Sequence, residues 1–334
     1  MREYRDIYEW TAPRTGCTIA LGRFDGVHLG HRSLLDRAVK LARTHQLTPV
    51  CFSFQESTYP RSNGLGQLTT DDEKVELLEQ IGMEVLLHPR FESPLVDMSA
   101  HDFLHSMLFE RWLAAIVVAG YDFHFGKNRQ GDIDYLLSAG KDLGIKIEII
   151  SPFVADGEIV KATRIRELLR DGVVDRANAL LGRPYSVRVH PVRGRGLGRE
   201  IGFPTINFPW PDLKVKVLPG IYAVRTGSEA LDVDAISGPR SLMDGVANFG
   251  FQPTIDPPNR EPVLEVHILD EVPPRIAELS EFPPDTVFTV EFIDFIRPEQ
   301  RFDSIDELRA QIGRDCDKAR QLLGTRGSLR DSGG

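Results

Sequence analysis

His28 and His31 stand three residues apart in "GRFDGVHLGH", where an apolar run gives way to a helical pattern. Residues at that spacing face the same way on a helix, so both imidazoles can reach one ligand at its start. A helix N-terminus already offers free N–H groups and the positive end of a dipole to an anion. Gly26 permits a tight turn ahead of it, and Gly30 lets a ligand approach the backbone. Taken alone, the pair also fits two surface histidines, or one histidine satisfied in a core. A zinc site is disfavoured, because no third His or Cys ligand stands nearby.

Four other stretches carry residue types of the same kind. Thr163 precedes Arg164 and Arg166 at the start of a helical pattern, and a hydroxyl with guanidinium groups suits a polyphosphate; an N-cap followed by solvated charges is the plainer alternative. "FGKNRQG" has the glycines and charges of a loop able to close over a nucleotide, or of a simple surface turn. "GRGLGREIGFPTINF", residues 194–208, sets glycines ahead of Pro204, Thr205 and Asn207. Such a loop can fold over phosphate with its amides inward. Thr205 and Asn207 face one way on an extended strand, and their oxygens suit Mg²⁺. A β-turn with a buried Thr is the alternative. In "LEVHIL", alternation places Leu264, Val266 and Ile268 on one face and Glu265, His267 and Leu269 on the other. Read from its residues alone, Glu265 fits half of a cross-strand salt bridge.

These stretches need a frame. Residues 17–151 alternate apolar runs ("CTIALG", "TPVCFSF", "EVLLHP", "AAIVVAG", "KIEIIS") with helical patterns. One helix is expected from about Gly30 to Thr44, and another is capped by Thr69 or Thr70. That alternation predicts a doubly wound parallel sheet, with ligands beyond the carboxyl ends of its strands. After Gly182 the runs become β-rich and are split by Gly and Pro, which predicts an antiparallel barrel. A last helix is capped by Ser304 with Glu307 completing a capping box. The expected domains are 1–182 and 183–325, followed by a flexible tail over 326–334.

The chain has 334 residues, 41% hydrophobic and 27% charged, with a net charge of −9. Such a balance argues against nucleic acid as a partner. Its apolar runs are too short to span a membrane, and the N-terminus shows no signal region. Cys17, Cys51 and Cys316 lie far apart and read as reduced thiols of a cytoplasmic protein, a monomer or weak homo-oligomer.

"GRFDGVHLGH" resembles the nucleotide-binding motif of the nucleotidylyltransferases, in particular that of the bacterial bifunctional riboflavin kinase/FAD synthetase family. "VVAGYDFHFGKNRQGD" (117–132) resembles that family's second motif and "TRIRELL" (163–169) its third. "GFPTIN" is similar to the flavokinase motif, and "GVANFGFQPTI" (245–255) matches the pattern between the kinase motifs. The resemblance covers about residues 16–320. It implies phosphorylation of riboflavin to FMN, then adenylylation of FMN to FAD, with ATP as co-substrate and Mg²⁺ as cofactor. It further implies that His28 and His31 act at the ATP phosphates, with Gly22, Phe24, Asp25, Gly26, Gly30, Thr163, Arg164 and Arg166 around the nucleotide. Asp122, Phe123, Phe125 and Arg129 would meet flavin. In the second half, Gly196, Gly198, Gly202, Pro204, Thr205 and Asn207 would hold ATP, with Thr205 and Asn207 on Mg²⁺. Glu265 would take the proton of the ribityl 5′-hydroxyl.

Three segments depart from the family pattern. "FSFQESTYP" stands where the family has Asp-Pro-His-Pro. Lys161 and Ala162 replace paired serines, and "EVPPRIAELSEFPPD" replaces an Asp-Leu-Tyr-Gly run. The first two fall in the N-terminal half, so a riboflavin kinase with a degenerate adenylyltransferase domain is the nearest alternative. A flavin- or nucleotide-binding regulator without turnover is another, although it would have no need of Glu265.

Overall fold

The computed structural model describes residues 1–59, 65–92, 94–194, 197–228, 242–250, 262–269, 282–283 and 285–327. The chain divides into two compact units, Met1–Arg164 and Ile165–Gly334.

In the first unit, β1 (Arg2–Tyr4), β2 (Cys17–Leu21), β3 (Thr48–Phe52), β4 (Val85–Leu87), β5 (Ala114–Gly120) and β6 (Lys146–Ile150) form one sheet in the order β1-β4-β3-β2-β5-β6. Every pairing in it is parallel. All five apolar runs become its strands, β2 to β6; β1 is an addition. It is a three-residue edge strand with exposed residues, so it carries no apolar signal. Two cores cover the two faces, one around Ile19, Leu87, Leu104 and Trp112, the other around Ala20, Leu35, Leu86 and Val118.

Local chemistry sets the helices. α1 (Leu29–His45) buries Leu34, Leu35, Ala38, Val39, Leu41 and Ala42, which recur at helical spacing on one stripe. α2 (Asp71–Ile81) starts at Thr70 with a complete capping box to Glu73, and ends at Gly82 in the left-handed conformation (φ 102°). α3 (Ala100–Asp102) runs on as π-helical turns over Phe103–Arg111. α4 (Ile133–Leu143) is capped by Asp132. A two-stranded ribbon, β7 (Val154–Ala155) with β8 (Glu158–Ile159), leads to α5 (Ala162–Arg170). The division between the units falls inside α5.

In the second unit, α6 (Val174–Leu181) precedes β9 (Tyr185–Val189), the short α7 (Leu197–Glu200), β10 (Ile206–Pro209), β11 (Gly220–Gly227), β12 (Met243–Gly250), β13 (Val263–Ile268) and β14 (Phe288–Pro298). The strands pair antiparallel in the order β10-β13-β12-β11-β14-β9. Tyr222, Val224, Phe249, Leu264, Val266, Phe288 and Phe292, all buried, lie on one side of this curved sheet. The other side is partly covered by α8 (Ile305–Gly327), which packs Cys316, Ala319 and Leu323 against Ala223, Val246 and Ile293. Arg297 of β14 anchors it through a 2.7 Å ion pair with Asp315.

Three details differ from the sequence reading. α8 continues to Gly327, past residue 326 where the tail was expected to begin. Its cap is also split: Ser304 accepts from the Glu307 N–H, but the Glu307 carboxylate accepts from the Asp303 N–H, one residue earlier than a capping box requires. α6 packs with the second unit, since the Asn178 amide donates to the Phe292 carbonyl and accepts from the Tyr185 N–H. It lies ahead of the change in sequence texture at Gly182.

Candidate active sites

The strand order of the parallel sheet reverses between β2 and β5, which are hydrogen-bonded neighbours with Leu21 opposite Ala119. Ligands of such sheets sit beyond the strand ends at that switch point. "GRFDGVHLGH" leaves the end of β2, and "YDFHFGKNRQG" leaves the end of β5. Topology therefore brings the two stretches together.

The β2–α1 loop is wound tightly. Phe24 (φ 54°), Gly26 (φ 82°) and Val27 (φ 39°) all occupy the left-handed region. Two non-glycine residues there need surroundings that over-determine the conformation. Asp25 supplies part of that constraint. Buried at 2% exposure, it accepts N–H bonds from Leu68 (2.8 Å) and Thr69 (3.1 Å). The Thr69 hydroxyl accepts the Gly26 N–H. Both candidate cap threonines are thus used, Thr70 for α2 and Thr69 for the loop. The Phe24 ring fills the space above Gly22, where a Cβ would come within 2.7 Å of it.

His28 is the N-cap of α1. Its Nδ1 accepts the His31 N–H at 3.3 Å, and the two rings stack with centroids 3.6 Å apart. Phe24 meets His31 edge-on at 5.3 Å. The two rings form one stacked unit at a helix N-terminus, His28 buried at 5% exposure and His31 half-buried. A Cβ on Gly30 would lie 3.2 Å from the His28 ring and 3.4 Å from the Val160 carbonyl. Its absence lets the segment before α5 close on the start of α1.

The remaining N-terminal candidates take different stations. Thr163 is exposed at the second residue of α5, two places inside the cap position. The Arg164 Nε donates to Glu158 at 3.1 Å, while Arg166 is buried at 5% exposure and so is no solvated charge. Lys161 pairs with Asp122 at 3.4 Å and stands 5.4 Å from the Tyr121 ring centroid. Phe123 and Phe125 stack at 5.7 Å, Phe125 largely inside the core. Arg129 is exposed and touches His124.

Sequence reasoning did not single out Lys74. Its side chain is fully buried, and its ammonium donates to the carbonyls of Arg23 and Phe54, the Ser53 hydroxyl and the Glu56 carboxylate (2.9 Å). Glu56 also receives Arg23 at 2.9 Å, and Arg23 lies over the Tyr59 ring. Burial pushes the Glu56 carboxyl above its ordinary value, against the pull of Lys74 and Arg23. The segment that departs from Asp-Pro-His-Pro is therefore an ion-paired brace tying the ends of β2 and β3. A lysine four residues before Leu78, on the apolar stripe of α2, was the available signal.

In the second unit the site lies on a sheet face. β10, β13 and β12 place Asn207 opposite Glu265 and Glu265 opposite Asn248, one row across three adjacent strands. Residues directly opposite in antiparallel strands share a face, with Cβ atoms about 5 Å apart. The predicted alternation holds: Leu264, Val266 and Ile268 are buried, while Glu265, His267 and Leu269 are half-buried on the other side. Glycines make room beside this row. A Cβ on Gly194 would lie 2.2 Å from the Asn207 amide, and one on Gly198 would strike the Phe203 carbonyl at 2.3 Å and sit 3.4 Å from the Thr205 hydroxyl. Asn207 is buried at 8% exposure and Thr205 is half-buried just before β10. His267 Nδ1 meets the Pro204 carbonyl at 2.8 Å, and Gly202 takes φ 87° where the loop turns. Arg309 of α8 donates to the Ile201 carbonyl. Glu299 lies beside the row, its carboxyl raised by burial and by the charge of Glu265. Gly196 and the segments 251–261 and 270–281 lie outside the described residues.

Two further features bear on ligand class. Among the described residues no group of three or more His, Cys, Asp or Glu side chains is arranged to hold a metal ion, and no helix is long and apolar enough to cross a membrane. The three cysteines are free and buried; burial pushes the Cys17 thiol up to about 12.

Fold and site together define a two-part protein, a doubly wound nucleotide-type unit followed by an antiparallel phosphotransfer-type barrel. Residues 11–164 match the FAD synthetase family model and residues 181–323 the riboflavin kinase family model. The chain is 34% identical over 330 residues to the bifunctional riboflavin kinase/FMN adenylyltransferase of Escherichia coli strain K12, covering 97% of this chain and 98% of that one. Identity to the protein of the same name from Pseudomonas fluorescens is 32% over 332 residues, covering 96% and 98%. A crystal structure of a Streptococcus pneumoniae protein described as a macrolide-efflux protein superimposes with a TM-score of 0.79 at 26% identity, covering 95% of this chain and 98% of that one. The chain belongs to the bifunctional riboflavin kinase/FMN adenylyltransferase family.

Proposed function

We propose that the second unit transfers the γ-phosphoryl group of ATP to riboflavin, giving FMN and ADP, and that the first joins FMN to the AMP part of a second ATP, giving FAD and pyrophosphate. The row Asn207–Glu265 beside the Gly194–Thr205 loop is the observation that carries this reading. In the kinase step Glu265 accepts the proton of the ribityl 5′-hydroxyl as its oxygen attacks the γ-phosphorus and ADP leaves. The cradle that Gly194 and Gly198 leave around Asn207 and Thr205, with hard oxygen donors, fits Mg²⁺. When bound there, the ion neutralises charge on the nucleotide phosphates.

In the adenylyl step the FMN phosphate attacks the α-phosphorus and pyrophosphate leaves. His28 and His31 present a preorganised pair to charge growing there, which supports a stabilising role without a covalent intermediate. Thr163, Arg164 and Arg166 follow as nucleotide contacts, and Asp122, Phe123, Phe125 and Arg129 as flavin contacts. The protein works in the cytoplasm. A single incubation with riboflavin, ATP and Mg²⁺, followed by separation of flavins, tests the reading. FMN and FAD together support it; FMN alone supports the kinase with a degenerate first domain; neither product refutes it.

A further inference from the structure

The row on the kinase sheet has a third member to which the motifs assign nothing. Asn248 lies directly across from Glu265, on the side away from Asn207, and its Oδ1 is enclosed with no hydrogen-bond donor among the described residues. A buried carbonyl acceptor without a donor is costly, and native structures keep few of them. One that flanks a candidate base, on the face that carries Thr205 and Asn207, is explained by a donor that arrives with the substrate. Riboflavin brings a chain of adjacent hydroxyls. If Glu265 takes the 5′-hydroxyl, a neighbouring hydroxyl falls within reach of a side chain one strand away, about 5 Å on.

We infer that Asn248 accepts a hydrogen bond from the ribityl 4′-hydroxyl and thereby selects a polyhydroxylated chain and aligns its terminal oxygen. The inference rests on the kinase reading of Glu265. Asn248 is well placed for this because its own strand holds it: Val246, two residues earlier on the same face, packs under α8, and Ile221 backs it from β11. Charged and titratable groups near the row include Glu299, beyond β14, His267, on β13, and Arg297, two strands from Asn248 on β14 and paired with Asp315. None of them supplies a donor to Asn248 Oδ1.

The test compares riboflavin with 4′-deoxyriboflavin as kinase substrates, by kcat/KM for ADP release, in wild type, Asn248→Ala, Asn248→Asp and Glu265→Gln of the full chain. Wild type should prefer riboflavin about 10- to 100-fold, the worth of a buried acceptor left unpaired. Asn248→Ala should lose that preference, falling on riboflavin while changing little on the deoxy analogue. Asn248→Asp keeps an acceptor and should keep the preference. Equal turnover of the two flavins by wild type overturns the inference even if the variants do not fold, and so does a preference that survives in Asn248→Ala. Activity in Glu265→Gln overturns the kinase reading itself and this inference with it. An inactive Glu265→Gln beside an unchanged Asn248→Ala refutes the inference alone.

Discussion

The two candidate sites are built in opposite ways. At the first, the chemistry is local in sequence: His28, Gly30 and His31 fall within four residues, and the helix they begin supplies the rest. At the second, Asn207, Glu265 and Asn248 come from three strands and meet only through register. The first site depends on buried polar groups that hold a strained loop, Asp25 and the Lys74–Glu56–Arg23 brace among them. The second depends on sheet geometry and on glycines that leave space. A helix-terminus site is therefore sensitive to loss of its hidden ion pair, whereas a sheet-face site should be sensitive mainly to the reacting groups themselves.

The largest expected effect breaks the first site from behind. Lys74→Met should remove one partner of a fully buried pair and leave the Glu56 carboxylate beside Asp25 with Arg23 as its remaining counter-charge. Breaking such a pair costs about 3–5 kcal/mol. Thermal unfolding should show the first unit melting earlier while riboflavin phosphorylation at moderate temperature persists. A variant as stable as wild type would show that the brace contributes nothing.

His31→Ala tests the same site from the front. Losing one preorganised donor typically costs about 10²–10³ in rate. FAD formation from FMN should fall by that factor with FMN formation from riboflavin intact. A purely structural histidine would instead lower the melting temperature, with activity following the unfolded fraction. Unchanged FAD output at an unchanged melting temperature removes the pair from catalysis.

Glu265→Gln sharpens the other side of the comparison. It keeps the shape of the row and should leave the melting temperature alone, while riboflavin phosphorylation falls by ~10²-fold, the scale of a general base. FAD formation from added FMN should be untouched. Near wild-type turnover of riboflavin would place the base elsewhere.

Short-range periodicity carries the part of this fold that neighbouring residues can encode. Alternating apolar runs and helical stripes specified a parallel sheet and then β-rich strands, Thr69 or Thr70 announced α2, and the alternation in "LEVHIL" turned Glu265 away from Leu264 and Val266. Each of these rests on neighbours within a few residues, where backbone geometry allows only two periods. Register is different, because pairing Asn248 with Glu265 depends on closing the chain between them and on which strands become neighbours. Lys74 read as one more charge on an amphipathic helix until the ends of β2 and β3 closed around it. Likewise "FSFQESTYP" read as a gap in a motif, and only the fold showed Glu56 as the partner of that lysine. Burial and long-range pairing are properties of the assembled core, since a charge is stable there only when folding brings its counter-charge, and no local pattern names which one that is.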